Sequence, residues 1–313
     1  MSVSYDSAKE RAGSKTRVDE REEVLLQRKT KVEKEKLVEV ELGSAKVQAP
    51  TASALEAFRK IGAKKRAIAK KERAVKRSSK FLAPAPKGAR SFLVDLRIHL
   101  YGTIGCFSSG GIDPCPALVR LAKVKGLDAI AITDYFCFSF TDRVREAASN
   151  LSTKISVMPG VDLLCQVGEC KEVSVVALFP ESSTGAELSS LLVDLGVPKS
   201  AYGRKDHRLA APFAEVLSAV EAYGGVVVPS RIDKTPYRQL AIPHLVEDYG
   251  LRAFDLVHAD GAELFRRRWP QGGFSFFSFS NAHSLGQVGS RATKVRLRRA
   301  NFGGIKERVA RSV

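Results

Sequence analysis

No apolar run in this sequence approaches the ~20 residues that cross a bilayer, so no membrane span is expected. The five cysteines, Cys106, Cys115, Cys137, Cys165 and Cys170, are odd in number and contain no C-x-x-C pair. That pattern argues against a disulfide framework and against a zinc finger, and buried small hydrophobes are the expectation. The opening stretch MSVSYDSAKERAG lacks an apolar core and carries Asp6 and Glu10, unlike a secretory or transit peptide. A reduced, cytoplasmic protein is expected. Also missing are an internal repeat, a G-x-x-x-x-G-K-[ST] loop and a G-x-G-x-x-G turn, which removes support for nucleotide binding of those kinds.

Charge of one sign is in short supply. The 313 residues hold 51 basic and 34 acidic side chains, a net +17. Residues 1–90 hold 24 basic and 12 acidic residues, which leaves 27 and 22 for the rest of the chain. A strongly basic appendage on a near-neutral domain points to a polyanionic partner.

The chain divides on composition. Residues 1–52 are charge-mixed without sustained periodicity and read as disordered. Ser53 and Glu56 have capping-box spacing and open a predicted basic helix over 53–80. Its apolar residues Leu55, Phe58, Ile61, Ile68 and Val75 align only partly, so it offers no continuous stripe to bury. The expected role is salt-sensitive binding of nucleic acid or a nucleoprotein assembly. The phosphate contacts would come from Lys60, Lys64, Lys65, Arg66, Lys70, Lys71, Arg73, Lys76 and Arg77. A solvated tail is the alternative. Residues 81–90 read as a linker, 91–300 as the folded domain and 301–313 as a basic tail.

Within the folded part, short β-branched runs alternate with helical patterns, as in a mainly parallel α/β sheet. Strands are predicted at 91–99, 127–133, 155–162, 173–179, 225–231, 253–258 and 274–281. Helices are predicted at 114–125, 141–150, 184–195, 212–223 and 243–249, the first capped by Asp113 with Pro114 in its first turn. Seven strands with intervening helices suggest a barrel, whose polar residues collect at the C-terminal ends of the strands. There the first strand carries Asp95, Arg97 and His99 two residues apart, on one face by alternation, and the last carries Asn281 and His283. Taken singly, each is better read as a cap or loop hydrogen bond than as a functional group.

Six segments in order resemble the polymerase-and-histidinol-phosphatase (PHP) superfamily, from about Ser91 to Leu297. Its D-x-H-x-H opening corresponds to DLRIH at Asp95 to His99, its I-T-D-H to ITDY ending at Tyr135, and its P-G-x-E to PGVD ending at Asp162. EVS at Glu172 to Ser174, PSRID at Pro229 to Asp233, and SNAHS at Ser280 to Ser284 follow. The resemblance implies a distorted (β/α)7 barrel, similar to a TIM barrel, that holds divalent metals which activate water against a phosphoester.

Four histidine positions of that pattern are here Arg97, Tyr135, Ser174 and Arg231, an aspartate is Asn281, and the glutamate is Asp162. The resemblance leaves His99, Asp162 and His283 as metal ligands, with Asp113 as an acidic addition. A guanidinium about 5 Å from a divalent ion is repelled by roughly 6–7 kcal/mol at an effective dielectric near 20. Two would oppose most of the ~10–16 kcal/mol of a good structural zinc site. The expectation is a degenerate site with no cofactor, and manganese or zinc only in an active variant of the reading. Arg97 and Arg231 would then either balance Asp95, Asp113, Asp134 and Asp162 in a salt-bridge network or hold the phosphate of a ligand without cleaving it. Hydrolysis on a single retained metal is the third alternative. His207, His244 and His258 match no position of the pattern, and His258 alone has a strand-end position.

Overall fold

The computed structural model of the chain describes residues 81–101 and 113–310. The expectations for 1–52, for the basic helix 53–80 with its nine phosphate-contacting residues, and for Cys106 lie outside the described residues.

The fold is mixed α/β, a nearly closed eight-stranded barrel with helices around it. Strands β1 (Arg90–Ile98), β2 (Ala129–Ile132) and β3 (Ser156–Val167) run parallel. β4 (Cys170–Leu178) is antiparallel to both β3 and β5 (Val226–Ser230), and β6 (Ala253–Asp255) and β7 (Ser275–Phe277) continue parallel to β5. β8 (Thr293–Leu297) pairs antiparallel with the lower half of β1. In the upper half the chain after β7 takes its place: Ile98 bridges Ala282, and the His99 amide donates to the Ala282 carbonyl at 2.9 Å. That stitch brings the two halves of the sheet together around the strand ends.

The inversion of β4 has a plain cause. Only Gly168 and Glu169 separate β3 from β4, enough for a hairpin and far too few for the crossover a parallel pair needs. Gly168 takes the left-handed φ of +55° that this turn demands. The sequence reading expected a mainly parallel sheet, with no helix between the strands predicted at 155–162 and 173–179.

Helices α1 (Pro114–Val124), α2 (Thr141–Asn150), α3 (Gly185–Asp194) and α4 (Phe213–Ala222) fall at the predicted places. Asp113 caps α1 by accepting from the Cys115 amide at 3.0 Å, with Pro114 in the first turn. After β5 come α5 (Pro236–Gln239), α6 (Ile242–Glu247), α7 (Ala262–Arg268) and, at the end, α8 (Phe302–Val309). Among the described residues no helix is long and apolar enough to cross a membrane.

Two boundaries move. The predicted tail from 301 is, as far as Val309, helix α8, whose Phe302, Ile305 and Val309 join Val94, Val228 and Leu297 in one buried cluster. They pack beside Phe92 and Val226, at strand starts, so α8 closes the end of the barrel away from the strand C-termini. The predicted linker is docked rather than free at its start. Phe81 is fully buried, and its carbonyl and the Ala83 amide bond the Phe274 backbone at 2.8 Å each.

Candidate functional site

The C-terminal strand ends surround a cavity of about 420 Å3. Its buried floor is Arg97 from β1, Asp162 from β3 and Ser174 from β4, with half-buried Tyr135, Arg231, Asn281 and His283 beside them. Glu172, Lys205, Asp206, Arg208 and Lys234 form an exposed rim together with Arg238 and Leu164.

The floor is a closed triangle of bonds. Arg97 donates to Asp162 Oδ2 from Nε at 2.8 Å and from Nη2 at 2.5 Å, and Nη2 also reaches Ser174 Oγ at 2.8 Å. Ser174 in turn donates to Asp162 Oδ1 at 2.8 Å. Both carboxylate oxygens are thus occupied. Burial works against the Arg97 charge, but Asp162 and Asp255 outweigh it and hold its pKa above the ordinary value.

Above this triangle the rings of Tyr135 and His283 stack on His99, with centroids 4.3 and 4.5 Å away and planes within 11° of parallel. Asn281 stands between the imidazoles, its Oδ1 3.3 Å from His99 Nε2 and its Nδ2 3.2 Å from His283 Nε2. The Tyr135 hydroxyl lies 3.4 Å from His283 Nε2. Burial first, and the Arg97 charge second, depress both imidazole pKa values, His99 far below its ordinary range. Burial and then the Asp162 charge push the Tyr135 phenol up to about 12. These groups are neutral at pH 7.

A divalent metal cluster does not fit these residues. Imidazole lone pairs lie in the ring planes, and two nearly parallel stacked planes cannot meet on one ion ~2.0–2.1 Å from each nitrogen. His99 Nε2 is engaged by Asn281 Oδ1 at 3.3 Å. Asp162 is engaged by a guanidinium instead. Among the described residues no group of three His, Cys, Asp or Glu side chains is arranged to hold a metal.

The other predicted site residues separate. Asp113 is half-exposed, pairs with Arg143 at 3.0 Å and lines a different surface depression with Arg120 and Glu146. It belongs to the cap of α1, not to the site. Asp95 does not line the cavity either, because the register of β1 shifts between Asp95 and Ile98 and breaks the alternation that would align it with Arg97 and His99. It accepts the amides of Ser280 at 3.0 Å and Gly289 at 2.9 Å. Asp134 accepts the amides of Leu100 and Tyr101, and burial raises its pKa to about 7. Of the four carboxylates expected to balance the arginines, only Asp162 does so directly. His258 is exposed and contributes its amide to Asp233 at 2.8 Å; His244 pairs with Asp248 at 2.7 Å, and His207 packs edge-on against Phe136.

Several site residues escaped the sequence reading. Asp255, buried below Arg97, accepts from Ser230 at 2.8 Å and from the Phe279 amide at 3.0 Å, and burial raises its pKa to about 6. Lys205, Lys234 and Arg238 reach the rim from loops and a short helix. The run SRIDKTPYRQ after β5, with three cations in ten residues, was the available signal.

No family model and no curated protein matches the sequence. Among solved structures the fold is similar to a candidate metal-dependent phosphoesterase from Bifidobacterium adolescentis, at 16% identity and a TM-score of 0.48 over 74% of this chain and 98% of that one. It is also similar to the lesion-specific endonuclease PfuEndoQ from Pyrococcus furiosus, at 13% and 0.49 over 70% and 56%. An amidohydrolase from Chromobacterium violaceum with bound sulfate and no metal follows at 14% and 0.46 over 70% and 97%. At identities this low the chemistry of this chain rests on its own residues.

Proposed function

We propose that this chain is a PHP-type barrel that has exchanged a metal centre for a guanidinium and works by binding rather than by phosphoester hydrolysis. The observation that carries the reading is the Arg97–Asp162–Ser174 triangle, which fills the floor of the cavity and uses both oxygens of Asp162. Hydrolysis of this kind needs an ion with an open position for hydroxide, and the stacked His99 and His283 do not converge on one. The barrel then serves as a scaffold, and residues 53–80 carry it to nucleic acid or a nucleoprotein assembly through their lysines and arginines.

Metal analysis of the full-length protein after incubation with manganese or zinc tests the reading, paired with turnover of an aryl phosphate. The expected result is less than one equivalent of tightly held metal and no turnover above buffer. Two or three equivalents of metal, with turnover lost in His283→Ala, would establish a hydrolase instead.

A further inference from the structure

The charges around the cavity do not balance. Asp162 neutralises Arg97, Glu172 faces Arg208 at 3.2 Å, and Asp206 faces Arg204 at 2.9 Å. Among the described residues no carboxylate lies within ion-pair distance of Arg231, Lys234, Arg238 or Lys205. Four unneutralised cations therefore share one mouth. Their mutual repulsion is visible in Lys234, whose pKa falls below its ordinary value chiefly through the charge of Arg231. In Arg231 burial lowers it first and the Arg97 charge second.

Two further observations point inward. Arg97 Nη1 is buried and has no hydrogen-bond partner among the described residues, although Nε and Nη2 of the same group are fully used. A buried donor on a charged group is costly to leave unpaired, and Arg97 faces the cavity. Arg231 holds a left-handed φ of +52°, strained for a residue with a long side chain, and its amide is tied to the Asp255 carbonyl at 2.8 Å. Strain of this sort persists where the surroundings fix a side chain in a required place.

We infer that the cavity binds a small molecule bearing two adjacent phosphate groups, the inner one between Arg97 Nη1 and Arg231, the outer one on Lys234, Arg238 and Lys205. A diphosphate carries about three negative charges near neutral pH, which matches the four cations without an ion-pair partner less the buried Asp255 carboxylate that acts on Arg97 and Arg231, whereas a single phosphate leaves about one uncompensated. Guanidinium forks suit phosphate oxygens, and lysines serve as point charges around them. The volume is that of a small-molecule site. Tyr135 and Leu164 add only a modest apolar wall, so recognition rests on the phosphates rather than on the group that carries them.

The inference rests on the non-hydrolysing reading, and calorimetry on the full chain in EDTA separates the two. Titration with pyrophosphate is expected to show one saturable site at least roughly tenfold tighter than orthophosphate, the size of one extra charge-assisted contact. Arg231→Asn, which suits the left-handed backbone, should weaken both anions by roughly 10- to 100-fold. Lys234→Gln with Arg238→Gln should abolish the preference for pyrophosphate. Lys123→Gln, exposed on α1 and outside the cavity lining, should change neither. Absence of saturable binding, or pyrophosphate affinity unaltered by the cavity substitutions, would overturn the inference even if no turnover is seen. Turnover with manganese would sink the non-hydrolysing reading whatever the calorimetry shows.

Discussion

Arg97 grips Asp162 through two nitrogens at 2.8 and 2.5 Å, with the two side chains only 3% and 2% exposed. A buried ion pair of this kind is weak as net stabilisation but severe when halved, because the surviving charge has no water to return to. Arg97→Met is therefore expected to destabilise the fold by about 3–5 kcal/mol in urea denaturation, and Arg97→Met with Asp162→Leu to recover most of that loss. Arg97→Lys should fall between, since an ammonium cannot serve Asp162 and Ser174 with the same planar geometry. A single Arg97→Met change within ~1 kcal/mol of wild type would show that the triangle does not hold the floor together.

This pair was half legible in the sequence. That Arg97, Asp162 and Ser174 lie on strands followed from their places in DLRIH, PGVD and EVS, although β3 and β4 run on past the predicted ends and leave Asp162 and Ser174 in mid-strand; the cap at Asp113 followed from the proline after it. That Asp95 would part company with Arg97 was not legible, because a register shift in β1 is set by pairing with β2 and not by the local residues. The inward-outward alternation of TKVRL in β8 was present, with Val295 and Leu297 buried and Lys294 and Arg296 exposed, but its five polar-rich residues resemble a surface segment. The rim cations were out of reach for a different reason. Lys205 and Lys234 belong to separate loops and meet only because the barrel brings the chain after α3 beside the chain after β5.

Asp134 makes stability depend on pH in a defined direction. Burial raises its pKa to about 7 from an ordinary 3.8, so between those values the native state keeps a proton that the unfolded chain releases. The contribution is present in full below about pH 4 and is lost as pH rises to 7. Asp134→Asn keeps an acceptor for the Leu100 and Tyr101 amides and does not titrate. The stability of Asp134→Asn minus that of wild type should grow from pH 4 to 7 and then level off, by at most about 4 kcal/mol. His99 and His283, both depressed, oppose folding below about pH 6.5 in both proteins and cancel in the difference. A flat difference across this range would remove Asp134 from the set of buried titrating groups.

Gly160 is fixed by close approach, not by backbone conformation. A Cβ there would lie 2.8 Å from Thr133 Cγ2 and 2.9 Å from the Ala177 carbonyl oxygen. The carbonyl cannot retreat, since Ala177 is paired with Val161 across the β3–β4 hairpin. Gly160→Ala should cost roughly 1–3 kcal/mol through overpacking, read as a lower melting temperature. Because Asp162 lies two residues on, the same change should also weaken pyrophosphate binding; unchanged stability and binding would mean that β2 and β4 can separate freely.

Removal of residues 301–313 discriminates a tail from a plug. It would strip Phe302, Ile305 and Val309, all nearly or fully buried, and break the bond from the Phe302 amide to Glu181 Oε1 at 2.8 Å. At ~1.5–3 kcal/mol for each buried apolar side chain, the loss exceeds about 4 kcal/mol. The shortened protein should aggregate on expression or melt well below wild type. Normal melting would show that the barrel end closes without α8.

A pair of N-terminal deletions that differ by the five residues 81–85 separates binding from folding. Deleting 1–80 removes Lys60 through Arg77, so nonspecific RNA or DNA affinity and its steep salt dependence should largely vanish. Deleting 1–85 removes nothing more from that basic run but also takes Phe81, whose ring lies 5.6 Å from those of Phe274 and Phe276, and the carbonyls of Ala83 and Pro84 that hold Arg308 at 3.1 and 2.8 Å. The two proteins should bind nucleic acid equally poorly, while the shorter one is less stable by about 3–5 kcal/mol, the cost of emptying a buried phenylalanine site. Undiminished nucleic-acid binding by the 81–313 protein would move the interface from the basic segment to the barrel itself, where the cations around Arg231 would be the first place to look.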